Sequence, residues 1–314
     1  MRRQYKLNFY HAPVLLDEVI SLLPESAEVA VDFTLGGAGH SERMLRERPN
    51  LFLWGIDQDR DALSTAEKRL SSFQGRFQLI HDQFSSASKT LIEKGIGADF
   101  ILADLGVSSF QIDQKERGFS FRSDAPLDMR MDQEGQLSAL ELVNTWDVNE
   151  LSTIFHKYGE EPFARRIAQQ IVRQREKKAL LTTQQLSDCI REAIPKKFQF
   201  GKIHPATKTF QAIRIAVNNE MEELDTLLTN AIQILKPAGR LAIISFHSLE
   251  DRPVKKKFQT WEHPCQCPKD IPYCICGLKP VAKTMKPKLR QAKKSEVELN
   301  PRSRSAKLRA TQKQ

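Results

Sequence analysis

No apolar run in this chain approaches the roughly 20 residues that a membrane-spanning helix needs. The start, Met-Arg-Arg-Gln-Tyr-Lys, leads into a polar segment and not into the apolar stretch of a signal peptide. The chain therefore reads as cytoplasmic, with no membrane partner. Cysteine is scarce, five in 314 residues: Cys189 alone, and a cluster of Cys265, Cys267, Cys274 and Cys276. In a cytosolic protein such a cluster points to bound metal or reduced thiols over disulfides. Its C-x-C pairs are tighter than the usual C-x₂₋₄-C of zinc sites. A loop of buried free thiols is the alternative, and no metal is assigned. Hydrophobic residues reach 40%, enough for a sizeable core. The length allows one large domain or a core with a smaller insertion.

Also missing is the third glycine of a dinucleotide-binding turn. Val29-Ala-Val-Asp-Phe-Thr-Leu35 empties into Gly36-Gly-Ala-Gly39, but His40, Ser41 and Glu42 follow where G-x-G-x-x-G requires another glycine. A second apolar run ends in Gly55-Ile-Asp57-Gln-Asp59, about 20 residues on, the spacing at which a carboxylate reaches a nucleoside ribose. Asp32, late in the first run, would oppose a pyrophosphate. S-adenosylmethionine carries a sulfonium and an ammonium and no phosphate, so an acidic turn suits it better.

Negative charge is lacking at one end. The net charge is +9, and residues 279–314 hold twelve Lys or Arg against two Glu, which leaves residues 1–278 close to neutral. A concentrated basic segment is the footprint of phosphate binding, although a solvated tail has the same composition.

Five apolar segments, 29–35, 51–57, 76–81, 99–105 and 240–246, have the composition of doubly buried strands. Helical patterns at 60–71 and 85–94 lie between the early ones, a rhythm that predicts a doubly wound α/β sheet. Segments near 281–285 and 304–310 add strands at its edge. The rhythm breaks between the fourth and fifth strands, where helical patterns at 138–157, 160–177 and 182–194 predict an inserted helical domain. The expected division is a discontinuous core, 1–109 and 206–314, with 110–205 inserted for RNA recognition. A long amphipathic helix over 206–235, with Phe210, Ile213, Val217, Leu224 and Leu228 at helical spacing, is expected to return the chain to the core.

In an open parallel sheet the ligand lies beyond the carboxyl ends of the strands. Those ends collect His40, Asp57, Asp82-Gln-Phe84, Asp104-Leu-Gly-Val-Ser-Ser109 and Ser245-Phe-His247-Ser-Leu-Glu-Asp251. The loop Glu116-Arg117-Gly-Phe119-Ser-Phe121-Arg122 interleaves guanidinium and aromatic groups, as suits a splayed-out nucleotide. Such a loop could equally be anchored in the core by its two Phe. Residues 161–178 carry Arg165, Arg166, Arg173, Arg175, Lys177 and Lys178 opposite Phe163, Ile167 and Ile171, a candidate RNA-facing surface.

Five stretches resemble the ribosomal RNA small subunit methyltransferase H (MraW) family: His11-Ala-Pro-Val-Leu-Leu-Asp-Glu18, Ala103-Asp-Leu-Gly-Val-Ser-Ser109, residues 116–122 with 126–132, His204-Pro-Ala-Thr-Lys-Thr-Phe-Gln-Ala-Ile-Arg214, and Ile244-Ser-Phe-His-Ser-Leu-Glu-Asp-Arg252. The resemblance implies a class I, Rossmann-like, S-adenosyl-L-methionine-dependent methyltransferase fold. It implies methylation of the exocyclic N4 of a specific cytidine in the decoding region of 16S ribosomal RNA within the small subunit, by a monomer or homodimer. Cofactor contacts carried over by motif are Ala38, Gly39, His40, Asp57, Phe84, Asp104 and Gln111, with Asp57 on the ribose and Phe84 near the adenine. The chain departs from the family pattern at Ala38 and at Phe110.

An exocyclic cytosine amine is a poor nucleophile and must be positioned and hydrogen-bonded. The Asp/Asn-Pro-Pro-aromatic motif of other amino-methyltransferases is absent after strand four. Asp104 is the first candidate for the catalytic acceptor and His247 the second. Asp104 could instead hold the methionine ammonium. A nicotinamide-dependent oxidoreductase and a non-catalytic assembly factor are the rival classes.

Overall fold

Short runs of Val, Ile, Leu and Phe become strands here because helices cover both faces of the sheet they form. The computed structural model describes residues 13–201, 203–268, 273 and 275–314. His11 and Ala12 of the first motif, and Cys274, lie outside the described residues. The strands are β1 (Val29–Asp32), β2 (Phe52–Asp57), β3 (Phe77–His81), β4 (Ala98–Asp104), β5 (Leu235–Ser245), β6 (Ala282–Thr284), β7 (Arg290–Gln291) and β8 (Lys307–Lys313). They join in the order β3-β2-β1-β4-β5-β8-β6, with β7 paired to β8. The first five are parallel to their neighbours, while β8 runs antiparallel to β5, β6 and β7. This is the expected class I methyltransferase architecture, a doubly wound, mostly parallel α/β sheet. Register sets Asp32 beside Gly55 and Leu102, and Asp104 beside Ile244, so the acidic ends of β1, β2 and β4 fall at one edge.

The helices, in chain order, begin with α1 (Leu16–Leu22), α2 (Gly39–Glu47), α3 (Arg60–Leu70), α4 (Phe84–Glu93) and α5 (Ser109–Asp113). Then follow α6 (Ala139–Thr145), α7 (Val148–Gly159), α8 (Ala164–Lys177), α9 (Thr183–Ala193), α10 (Thr207–Val217) and α11 (Glu220–Ile234). The last two are α12 (Ser248–Glu262) and α13 (Lys294–Leu299). None is long and apolar enough to cross a membrane. The chain forms two compact units, one of Met1–Asp57, Ala62–Gly106 and Thr226–Gln314, the other of Gln58–Asp61 and Val107–Asp225. The core of the first includes Leu45, Phe100, Leu102, Ile244 and Leu308. The core of the second includes Phe155, Ile167, Ile171, Leu186 and Ile213.

Four expectations are corrected. The helix predicted over 138–157 is two, because Asp147 caps α7: its carboxylate accepts from the Asn149 and Glu150 amides, and Glu150 accepts from the Asp147 amide. The helix predicted over 206–235 breaks after α10, where Asn219 is left-handed (φ 51°). The Asn218 side chain is drawn off there, donating to the Met129 carbonyl and accepting from the Met131 amide, each at 2.7 Å. Phe210 and Ile213, expected in the core of the sheet, lie in the core of the helical unit. The basic C-terminal segment is no solvated tail: β8 carries Lys307 and Arg309 into ion pairs with Asp251, at 3.3 and 2.6 Å.

Candidate active site

The turn after β1 is built by neighbours on both sides. The Gly36 amide donates to Asp57 Oδ2 at 2.8 Å, so the end of β2 grips the turn that β1 enters. Ala38 is left-handed (φ 57°) and caps α2. A Cβ at Gly39 would collide with the Pro13 ring, so that glycine answers to packing against the first motif. A Cβ at Gly37 would meet open space. His40 is buried, and its Nε2 lies 2.9 Å from the Val14 carbonyl. A carbonyl only accepts, so the ring proton sits on Nε2, and Nδ1 turns its lone pair toward Asp104 Oδ2 at 3.9 Å. Burial pulls the His40 pKa down from 6.5 to about 4, and the imidazole is neutral at pH 7.

Asp32 at the end of β1 is 1% exposed. Ser41 Oγ donates to it at 2.6 Å and the Thr34 amide at 3.1 Å. Burial outweighs these bonds and raises its pKa from 3.8 to about 6. Thr34 Oγ1 accepts from the Asp104 amide at 2.6 Å, so one hydroxyl ties the ends of β1 and β4 together. Asp104 is raised well above the carboxylate range, first by burial and then by the negative charges of Asp32 and Glu250. Its Oδ1 is buried and, among the described residues, has no hydrogen-bond partner. An orphaned acceptor, two further carboxyls and an imidazole lone pair make a site rich in acceptors. It repels phosphate and fits a ligand that brings its own positive charge and N–H groups.

Residues 8–314 match the family model described as the MraW methylase family. The chain belongs to that family. It is 48% identical to the ribosomal RNA small subunit methyltransferase H of Carboxydothermus hydrogenoformans over 309 residues, covering 98% of this chain and 99% of the relative. It is 49% identical to the protein of the same name from Geobacter sp. strain M21, with the same coverage. The methyl donor of this MraW methylase is S-adenosylmethionine. The cluster of carboxyls at the strand ends agrees with that assignment and disagrees with a nicotinamide dinucleotide.

Of the site residues read from the sequence of this methylase, Ala38, Gly39, His40, Asp57 and Asp104 come together in the first unit. Phe84 opens α4 in the same unit, half-buried, with its ring edge-on to Phe33 at 6.1 Å between centroids. Gln111 belongs to the second unit. Its Oε1 accepts from the Ser108 amide at 3.0 Å and its Nε2 donates to Asp59 at 2.9 Å, so both ends of the side chain serve its own unit. His247 caps α12. Its Nδ1 faces the Glu250 amide at 3.4 Å and its Nε2 lies 3.0 Å from Glu250 Oε1. This imidazole orients Glu250, which was passed over in the sequence although it lies in the Ser245–Asp251 stretch. Asp32 was noted for its charge only, and its capping by Ser41 could not be read from spacing.

The Arg/Phe loop has two expected readings. Arg117 is 6% exposed. It donates to Asp59 and to the carbonyls of Arg130 and Met131, each at 2.9 Å, inside its own unit. Phe119 and Phe121 pack against the helical core, Phe121 stacking on His204 at 4.6 Å. Core anchoring, the second of the two expected readings, is what Arg117, Phe119 and Phe121 show, while Arg122 is exposed. Further exposed cations lie elsewhere: Arg165, Arg166, Arg173, Lys177 and Lys178 on α8, while Arg175 is bonded to the Val143 carbonyl. Past α9, Lys196 and Lys197 are exposed beside Phe198, Phe200 and Ile203, which are 52%, 90% and 54% exposed. Basic residues beside exposed rings are the composition of a base-stacking surface, with Phe198 leaning on Phe163 and Phe200 the more open. The sequence signal, Lys-Lys-Phe-Gln-Phe, was present and overlooked.

Proposed function

We propose that this methylase transfers a methyl group to the exocyclic N4 of one cytidine in the decoding region of 16S ribosomal RNA. The observation that carries the reading is the orphaned Asp104 acceptor in a pocket of carboxyls. When bound, S-adenosyl-L-methionine supplies a methyl carbon made electrophilic by its sulfonium. The residues that would hold it are Ala38, Gly39 and His40 in the turn, Asp57 for the ribose hydroxyls, Phe84 against the adenine, and Asp104. The Gln111 side chain is held by Ser108 and Asp59 in its own unit.

The chain's own work is to bind, orient and accept hydrogen. Burial and the charges of Asp32 and Glu250 hold the Asp104 carboxyl well above the usual carboxylate range, and an arriving positive group pulls it back down by offsetting those charges. The target amine gains one N–C bond as the methyl–sulfur bond breaks and the neutral thioether leaves, and the nitrogen must then lose one proton. A carboxylate at the end of β4 is the acceptor the fold offers, with the His40 Nδ1 lone pair beside it. His247 is a positioning residue, holding Glu250 at the end of β5. The target base must be unstacked to reach such a pocket. The exposed cations of α8 and the Lys196–Phe200 stretch supply phosphate contacts and stacking faces in the helical unit. The substrate is the RNA within the small ribosomal subunit, and the protein works in the cytoplasm.

The test is incubation of the purified protein with labelled S-adenosylmethionine and small subunits lacking decoding-site methylation. The RNA is then digested and its nucleosides identified by mass spectrometry. N4-methylcytidine at a single site is expected. Absence of transfer to subunits and to free RNA, with the cofactor still bound, overturns the reading.

A further inference from the structure

Between α12 and β6 the large apolar residues that the structure describes are exposed. The base of this segment is closed, since the Val281 amide donates to the Trp261 carbonyl at 3.0 Å. Within it, Tyr273, Ile275 and Leu278 are 81%, 82% and 48% exposed, so no apolar core holds these residues. Yet the Sγ atoms of Cys265, Cys267 and Cys276 lie within 4.8 Å of one another. Four thiolates at the Zn–S distance of about 2.3 Å stand about 3.8 Å apart at the corners of a tetrahedron. The cluster is thus close to metal geometry.

Two details favour metal over chance. The Ile275 amide points at Cys267 Sγ, 3.3 Å away, a bond that stabilises sulfur in its charged form. Gly277, directly after Cys276, is left-handed (φ 65°), which turns the chain back after the last sulfur. The alternative of buried free thiols fails, because Cys265 is exposed and Cys267 and Cys276 are partly so. The close C-x-C spacing, read from sequence as an argument against zinc, does not prevent the sulfurs from meeting.

We propose that Cys265, Cys267 and Cys276 bind a structural zinc ion that staples the excursion leading into β6. Each thiol loses its proton to solvent as Zn²⁺ binds, and no electron is transferred. The fourth position is taken by water. Zinc is filled-shell and tolerates the tetrahedral thiolate set without redox chemistry, which fits a site remote in sequence from the residues assigned to methyl transfer.

The experiment is metal analysis of the full chain, purified without a histidine tag and under reductant. About one zinc per chain is expected. Replacement by Co²⁺ should give a strong thiolate-to-cobalt charge-transfer band, whose intensity counts three sulfurs. Cys267→Ser should lose the metal and the band, while Cys189→Ser keeps both. Calorimetric binding of S-adenosylmethionine by Cys267→Ser shows that the variant remains folded. If the reduced protein carries no zinc and all its cysteines react with a thiol reagent at once, the proposal is overturned. Stoichiometric iron or copper in place of zinc, or a zinc content unchanged in Cys267→Ser, overturns it equally.

Discussion

The two units handle buried charge in opposite ways. In the helical unit, Asp59 at 1% exposure meets Arg117 at 6%, and the guanidinium also reaches two carbonyls while Gln111 takes a place on the carboxylate. Opposite charges meet inside one unit, although Arg117 Nε has no hydrogen-bond partner among the described residues. In the sheet unit, Asp32, Asp104 and Glu250 lie near one another, and the base beside Asp104 is a histidine that burial keeps neutral. Matched buried charge braces a fold, whereas mismatched buried charge costs stability and persists where a ligand completes it.

Breaking the matched pair should have the largest effect. Arg117→Ala leaves Asp59 buried without its cation, which costs about 3–5 kcal/mol of stability. A urea titration followed by circular dichroism measures it, and a loss below about 1 kcal/mol would show that Arg117 is no brace.

The mismatched side should respond to pH. The Asp32 carboxyl titrates near 6 in the fold against 3.8 in the unfolded chain, so the folded state holds its proton more tightly. Its contribution is complete below the unfolded value and is lost as pH rises through about 6. The loss is about 3 kcal/mol, at about 1.4 kcal/mol per unit. His40 acts in the other direction, because its value falls from 6.5 to about 4 and acidification below 6.5 protonates the unfolded chain first. Asp32→Asn should therefore gain stability at pH 7 relative to pH 4. Denaturation midpoints across that range would expose an equal slope in both proteins, which the assignment forbids.

Asp104→Asn should fold as well as the parent, since it removes a crowded carboxyl, but should bind S-adenosylmethionine about 10- to 100-fold more weakly, as losing a charged hydrogen-bond partner implies. A weakened Kd assigns the carboxylate to the ammonium. An unchanged Kd with reduced kcat assigns it to the target amine. Binding should also release protons, so calorimetry in buffers of different ionisation heat should differ. The smallest effects belong to the exposed surface: Phe200→Ala should raise KM for subunits about 5- to 100-fold if a base stacks there. Arg165→Ala should change it only a few-fold, lessened by salt. Neither should change cofactor affinity.

The strands were readable because doubly buried segments are apolar throughout, and their acidic ends follow from where those runs stop. The D-x-x-E cap at Asp147 was readable too, yet the helical periodicity across Trp146 concealed it. The break after α10 had a local signal in the Asn218-Asn219 pair, since asparagine accepts the left-handed conformation, but the bonds to Met129 and Met131 are distant in sequence. Arg117 looked like an RNA contact because composition does not distinguish a guanidinium facing solvent from one facing Asp59.

Sequence alone determined the family, the parallel sheet, the acidic character of the pocket and the choice of a positively charged cofactor, because these follow from residue types and their order. Only the tertiary structure decided which carboxyl lacks a partner, which imidazole nitrogen carries the proton, which arginine is spent on the fold and which cysteines meet. Each of those depends on distances and burial between segments far apart in the chain, and local propensity carries no information about them.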